Sequence, residues 1–141
     1  LHIVDDHSSD RSTEIVESYA NNDARIHLHS NGGHGIIEAL KTAYKHAQGT
    51  FITRMDSDDI MTTNKLEQMV QNLQVHGVGH LALGQVKYFS KTGIGAGYKR
   101  YETWLNSLTK TGTNFNEIYK LTSDCLHRAI LCSRCAHFEW L

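Results

Sequence analysis

The chain reads as an α/β domain built on a mainly parallel sheet, and three observations lead there. Short apolar runs of strand length alternate with segments of helical period, and glycines or acidic turns stand at the junctions. The 141 residues are the length of one domain. Of them 40% are hydrophobic and 21% charged, a globular balance rather than a disordered one.

The elements follow in order. Ile3 and Val4 form an apolar strand that ends in Asp5 and Asp6, and a polar turn, His7 to Asp10, follows. Asp10 is expected to cap a helix with Glu14 in its first turn and Ile15, Val16 and Tyr19 inward. Arg25 to His29 alternates around Ile26 and Leu28 as a second strand, with His27 and His29 a surface pair on one face, and the loop Ser30 to Gly35 carries three glycines. From Ile36 the apolar residues Ile37, Leu40, Ala43, Tyr44 and Ala47 keep the period of a helix with one buried face, with Gly49 as its expected C-cap. Thr50 to Met55 is the next strand, broken by Asp56, Ser57, Asp58 and Asp59. A helix beginning near Thr62 or Thr63 turns Leu66, Met69, Val70 and Leu73 inward and ends near Gly77; Leu81 to Phe89 is a further strand. An aromatic helix holds Tyr98, Tyr101, Trp104, Leu105 and Leu108, and a shorter one holds Phe115, Ile118 and Tyr119.

Lys and Arg number 14 against 15 Asp and Glu, so no general field draws the chain to nucleic acid, and none is expected as a partner. The ten histidines would make it strongly positive in mild acid. No apolar run approaches the roughly 20 residues that span a bilayer, and the first residues lack the features of a signal peptide, so the expected location is cytoplasmic. Cys125, Cys132 and Cys135 all fall in the last seventeen residues and give no disulfide framework. With His137 they have the ligand types of a zinc site, against which stands the plainer reading of buried thiols on a strand. The chain holds no proline and opens inside an apolar run, as a piece of a longer protein would.

In open α/β sheets ligands sit beyond the carboxyl ends of strands, and two strand ends here deliver carboxylates: Asp5 and Asp6, then Asp56 and Asp58. In an extended segment Asp56 and Asp58 face one way and Ser57 the other. Two carboxylates converging on a point repel unless a cation joins them, and oxygen ligands suit Mg2+ or Mn2+, which completes its shell with water and substrate phosphates. A diphosphate substrate follows, with Asp6, Asp56 and Asp58 expected to share one cleft. The competing reading is ordinary: a turn former at Asp5 and Asp6, and a solvated, helix-capping loop at Asp56 to Asp59.

The segment Ile3-Val4-Asp5-Asp6-His7-Ser8-Ser9-Asp10 resembles the strand and turn of family 2 glycosyltransferases: an apolar run, two aspartates, a small residue, Ser, a small residue and Asp. Asn31-Gly32, Ala47-Gln48-Gly49, the strand from Thr50 and Asp56-Ser57-Asp58-Asp59 keep that family's order and spacing. The resemblance implies a truncated GT-A fold, a Rossmann-like mixed and mainly parallel sheet with helices on both faces. Residues 1–121 would be a partial nucleotide-sugar-binding domain and 122–141 a Cys/His-rich tail. It implies inverting transfer of a sugar from a nucleotide diphosphate donor, a UDP-sugar first among them, to a glycan or lipid-linked acceptor with Mn2+ or Mg2+. Peripheral association with the inner face of the cell membrane would come through regions beyond this chain. By position Asp6 and its neighbour Asp5 serve the nucleotide, Asp6 at its base; Asp56 serves the ribose or metal shell, and Asp58 the metal at the diphosphate.

The chain departs from the pattern in four places. No Pro-Thr-Tyr-Asn-like first strand precedes Leu1, Thr63 replaces a usual proline, and Lys41 stands where relatives often carry Asn and reads as a solvated lysine beside Glu38. The general base, an acid of a downstream pair in the family, is expected beyond Leu141, so no catalytic residue is assigned. Two other classes compete. Val4-Asp5-Asp6-His7 with Asp56 also resembles the acidic pair and phosphoacceptor of a response-regulator receiver, although the following strand ends in Leu83 and Gly84 rather than Ser or Thr. The third reading is a non-catalytic structural fragment.

Overall fold

A computed structural model of the chain describes residues 1–77, 79–117 and 130–133. It comprises two units, Leu1–Gln48 and Gly49–Leu141.

In the first unit β1, His2–Asp5, lies parallel to β2, His27–Ser30, with His2 opposite His27, Ile3 opposite Leu28, Val4 opposite His29 and Asp5 opposite Ser30. Parallel neighbours need a crossover, and helix α1, Ser12–Ala20, supplies it and packs on both strands. Its half-buried face is Thr13, Val16 and Ala20, while Ile15 and Tyr19, expected inward, are exposed. The helical period explains the difference: residues 13, 16 and 20 share a stripe from which 15 and 19 point away. Asp10 acts one residue outside the cap position, which Arg11 occupies, by accepting the Ser12 N–H at 2.9 Å. β2 begins later than expected because residues 23–25 turn: the Asp23 carboxylate accepts the Arg25 N–H at 2.9 Å and its guanidinium at 2.7 Å.

Helix α2, Ile36–His46, begins where the period starts but stops at an extended Ala47, whose N–H still bonds the Ala43 carbonyl at 3.1 Å. Gly49 is therefore not its C-cap. A Cβ on Gly49 would come within 3.1 Å of the Phe51 carbonyl, so close backbone approach is what a side chain there would disturb. Lys41 pairs with Glu38 at 2.8 Å, as a surface lysine one turn away should.

His27 and His29 are more than a surface pair. The parallel register sets His2 beside them, and α2 adds His46. The His2 Nδ1 and His29 Nε2 atoms are 3.0 Å apart, and the His29 and His46 rings stack at 4.1 Å. Partial burial, then the charge of the chain's amino terminus and of His27 and His46, lowers the His2 pKa; partial burial, then His46, His2 and His27, lowers that of His29. Charging either ring therefore costs more in the folded chain than in the unfolded one. The penalty is absent well above the unfolded value of about 6.5 and grows as pH falls through it. The urea midpoint of the chain should be lower at pH 5.5 than at pH 7.5, and His2→Gln with His29→Gln should reduce that difference.

The second unit contains β3, Phe51–Thr53; α3, Lys65–His76; β4, Leu81–Leu83; α4, Ala96–Thr111; α5, Asn114–Glu117; and β5, Ile130–Ser133. β5 lies between β3 and β4 and is antiparallel to both, with Cys132 opposite Ile52 and Leu81. β3 and β4 consequently run the same way, as strand–helix alternation predicts, but they are not neighbours: the strand between them makes both pairings in this sheet antiparallel rather than parallel. Met69, Leu73 and Ala82 are buried, with Phe51 and Val70 packed against them; Leu66, expected inward, is 43% exposed.

The expected strand to Phe89 ends at Leu83. Beyond it α4 takes the backbone: Asn106 accepts the Val86 N–H at 2.9 Å and donates to the Val86 carbonyl at 2.8 Å, and Glu102 accepts the Tyr88 N–H at 2.6 Å. With these groups satisfied by side chains, no ladder is needed. Tyr88 packs on Tyr98 and Tyr101, with ring centroids 5.6 and 6.2 Å away. Ile118, Tyr119, Cys125, Cys135 and His137 lie outside the described residues, and with them the zinc reading. No helix among the described residues is long and apolar enough to cross a membrane. Leu73, 2% exposed at the centre of this small core, is the position where truncation should be felt most: Leu73→Ala should lower stability by about 2–5 kcal/mol in denaturant melts.

Candidate donor site

Two loops leave the carboxyl ends of β1 and β2, and one buried side chain ties them together. Asn31 is 2% exposed. Its N–H donates to the Asp5 carbonyl at 2.8 Å, continuing the β1–β2 ladder by one bond. Its Nδ2 donates to Asp6 Oδ1 at 2.7 Å and to the Gly35 carbonyl at 3.2 Å, while its Oδ1 accepts the Gly33 N–H at 3.2 Å. The Gly35 N–H closes the ring on Asp6, 3.1 Å from Oδ1 and 2.9 Å from Oδ2. Gly35 does so at φ 83° and ψ 171°, a backbone region open in practice only to glycine.

Asp6 is thereby positioned and kept ionised. The Asn31 amide lowers its pKa most; lost hydration opposes this, and the Gly35 N–H adds to the lowering, so the net direction is down. Asp5 has a different role: both its carboxylate oxygens accept the Ser8 N–H, at 3.3 and 3.2 Å, which makes the turn after β1. His7, next in that turn, holds φ 61°, a left-handed conformation that few side chains adopt readily. That strain gives a physical reason for a small residue at this point of the pattern, where this chain carries His7.

Asp56 and Asp58 belong to the second unit. The extended segment expected there is absent. β3 ends at Thr53 with its pairing to β5, and the chain then turns, the Asp59 N–H bonding the Asp56 carbonyl at 3.2 Å. Ser57 and Asp58 stand at the two central positions of that turn. Asp56 is half-buried in an ion pair with Arg54, whereas Asp58 is exposed and has no ion pair among the described residues. The acids of this motif therefore differ in surroundings, which strand alternation does not predict. Nor does Asp59 cap the next helix: α3 starts only at Lys65, with Asn64 at the cap position.

Asn31 was legible only as one residue of a motif; its role comes from burial with three partners. Asn31→Ala would leave Asp6 without its shortest donor and remove the partner of the half-buried Gly33 N–H and Gly35 carbonyl. A loss of about 1–3 kcal/mol in urea unfolding is expected, with Gly35→Ala also destabilising through backbone strain.

Comparison with known proteins supplies the context of these loops. The model of the family described as glycosyl transferase family 2 matches residues 1–137. The chain is 32% identical over 88 residues to the uncharacterized glycosyltransferase EpsJ of Bacillus subtilis, covering 62% of this chain and 26% of that protein. It is 37% identical over 73 residues to the glycosyltransferase GlyG of Streptococcus pneumoniae, covering 51% and 24%. Against the Escherichia coli protein WfgD, named a UDP-Glc:alpha-D-GlcNAc-diphosphoundecaprenol beta-1,3-glucosyltransferase, identity is 37% over 82 residues, covering 57% and 32%. The matched stretch thus spans about a quarter to a third of each relative's length. No solved structure matches. Receiver-like spacing at Asp5, Asp6 and Asp56 is outweighed by a match running through both acidic motifs and far beyond them, and the chain belongs to glycosyl transferase family 2.

Proposed function

We propose that this chain forms the donor side of a sugar transferase, binding a nucleoside diphosphate sugar, with a UDP-sugar first among the candidates, for transfer to a glycan or lipid-linked acceptor. The observation that carries the reading is the pair of carboxylates set out differently at two strand ends: Asp6, ionised and locked by Asn31 and Gly35, and Asp58, exposed at the head of a turn. The lipid-linked acceptor is suggested by the name of the Escherichia coli relative.

In this reading residues 1–121 bind the donor. Asp5 and Asp6 serve the nucleotide, Asp5 by shaping the turn and Asp6 by accepting a hydrogen bond from the base. Asp58 and Asp56 would hold a divalent cation. Their oxygen donors fit Mg2+ or Mn2+, although Asp56 must share its charge with Arg54. When bound, such a cation neutralises the charge that grows on the leaving diphosphate. Asp58 then offers carboxylate charge from an exposed turn, with Asp56 paired to Arg54 beside it. No base is assigned among the described residues.

Titration calorimetry of the chain with UDP in the presence of Mn2+ checks the assignment. Asp58→Asn should weaken nucleotide binding at least tenfold, because an amide does not replace carboxylate charge beside a cation. Asp59→Asn should change it little. Equal losses in the two variants would mean the metal ligand is misassigned.

A further inference from the structure

The turn after β1 and the glycine loop after β2 bring a second donor set together, one with nitrogen in it. Asp6, His7 and His34 each offer a ligating atom, and these atoms all lie within 4.8 Å of one another. The three side chains come from two loops more than twenty-five residues apart in sequence, so the chain does not place them together simply as neighbours. From this arrangement we infer that Asp6, His7 and His34 form a binding site for a borderline divalent transition metal such as Zn2+ or Ni2+.

Two of the three ligands, Asp6 and His7, are already oriented by hydrogen bonds, as metal-binding side chains commonly are. The His7 Nε2 is 2.9 Å from the Gly33 carbonyl, and a carbonyl only accepts, so in the tautomer that keeps this bond Nε2 carries the hydrogen and Nδ1 the lone pair. The same bond crosses from one loop to the other and holds His7 in its left-handed conformation. The His34 ring packs on His7 with centroids 4.6 Å apart. Asp6 is fixed by Asn31 and by Gly35, and its Oδ2 accepts only the Gly35 N–H among the described residues, which leaves a lone pair on that oxygen.

The donor set decides the class of ion. Two imidazoles and one carboxylate suit Zn2+, Ni2+, Co2+ or Cu2+, whereas Mg2+ prefers oxygen alone. All three residues are exposed, so solvent or an incoming ligand can complete the coordination sphere. This site is distinct in chemistry from the oxygen site proposed at Asp56 and Asp58. It shares Asp6 with the proposed nucleotide contact, but it rests on the geometry of the two loops rather than on that reading.

The test uses the tag-free chain with metal alone and no nucleotide, so its failure and a failure of nucleotide binding are separate results. Co2+ is titrated and followed by its visible absorption, with Zn2+ added afterwards to displace it. Saturation near one equivalent is expected, and His7→Asn and His34→Gln should each weaken binding at least tenfold. Asn tolerates the left-handed backbone at position 7, so that variant removes the ligand and keeps the turn. His29→Gln, in the separate histidine group of β1, β2 and α2, should leave binding unchanged. In the unaltered chain, Zn2+ should shift the imidazole NMR signals of His7 and His34 ahead of those of His2, His27, His29 and His46. Absence of saturable binding, or binding that survives both loop variants and is lost in His29→Gln, would overturn the proposal.

Discussion

Everything at the head of the first unit depends on the buried amide of Asn31. A parallel two-stranded ladder ends with unpaired groups on both strands, and the loops leaving it have no reason of their own to stay together. Asn31 supplies that reason from both ends of one side chain, donating to Asp6 and Gly35 and accepting from Gly33, while its backbone extends the ladder to Asp5. In water an amide gains little from such bonds. At 2% exposure it cannot return to water, so the whole ring of partners is committed together.

The same unit buries no large apolar side chain among its described residues, which raises the weight of its polar contacts. Its imidazoles gather in two places for two reasons. His2, His27, His29 and His46 meet because a parallel register of two strands aligns positions of equal phase and α2 ends beside them. His7 and His34 meet because two loops are tied by Asn31 and by the bond from His7 to Gly33. The first group is a set of imidazoles whose partial burial and mutual charge oppose protonation of His2 and His29. In the second, Asp6 supplies a negative charge that a cation can use.

The second unit handles its acids through a turn. Once β3 loses its partner at Thr53, Asp56 to Asp59 closes on itself, and Asp56 and Asp58 cease to be equivalent. Arg54 engages Asp56 and leaves the exposed position to Asp58. The two aspartates of one short motif therefore stand in different surroundings, one half-buried and ion-paired, the other exposed.

The sequence by itself determined the order of strands and helices through Leu83, the strand-end position of both acidic motifs and the family, because these depend on local period and on short motifs of fixed spacing. It placed Gly49, Ile15, Leu66 and the end of the fourth strand differently from the structure. Each depends on which neighbour a backbone or side chain meets: the Phe51 carbonyl, the stripe through Val16, the core around Leu73, the side chains of Asn106 and Glu102. Only the tertiary structure decided that β5 separates β3 from β4, and that Asp6, Asn31, His7 and His34 share one corner. Local preference fixes what a segment forms. Pairings across twenty-five or more residues are set by the burial and hydrogen bonding of groups that sequence proximity never brings together.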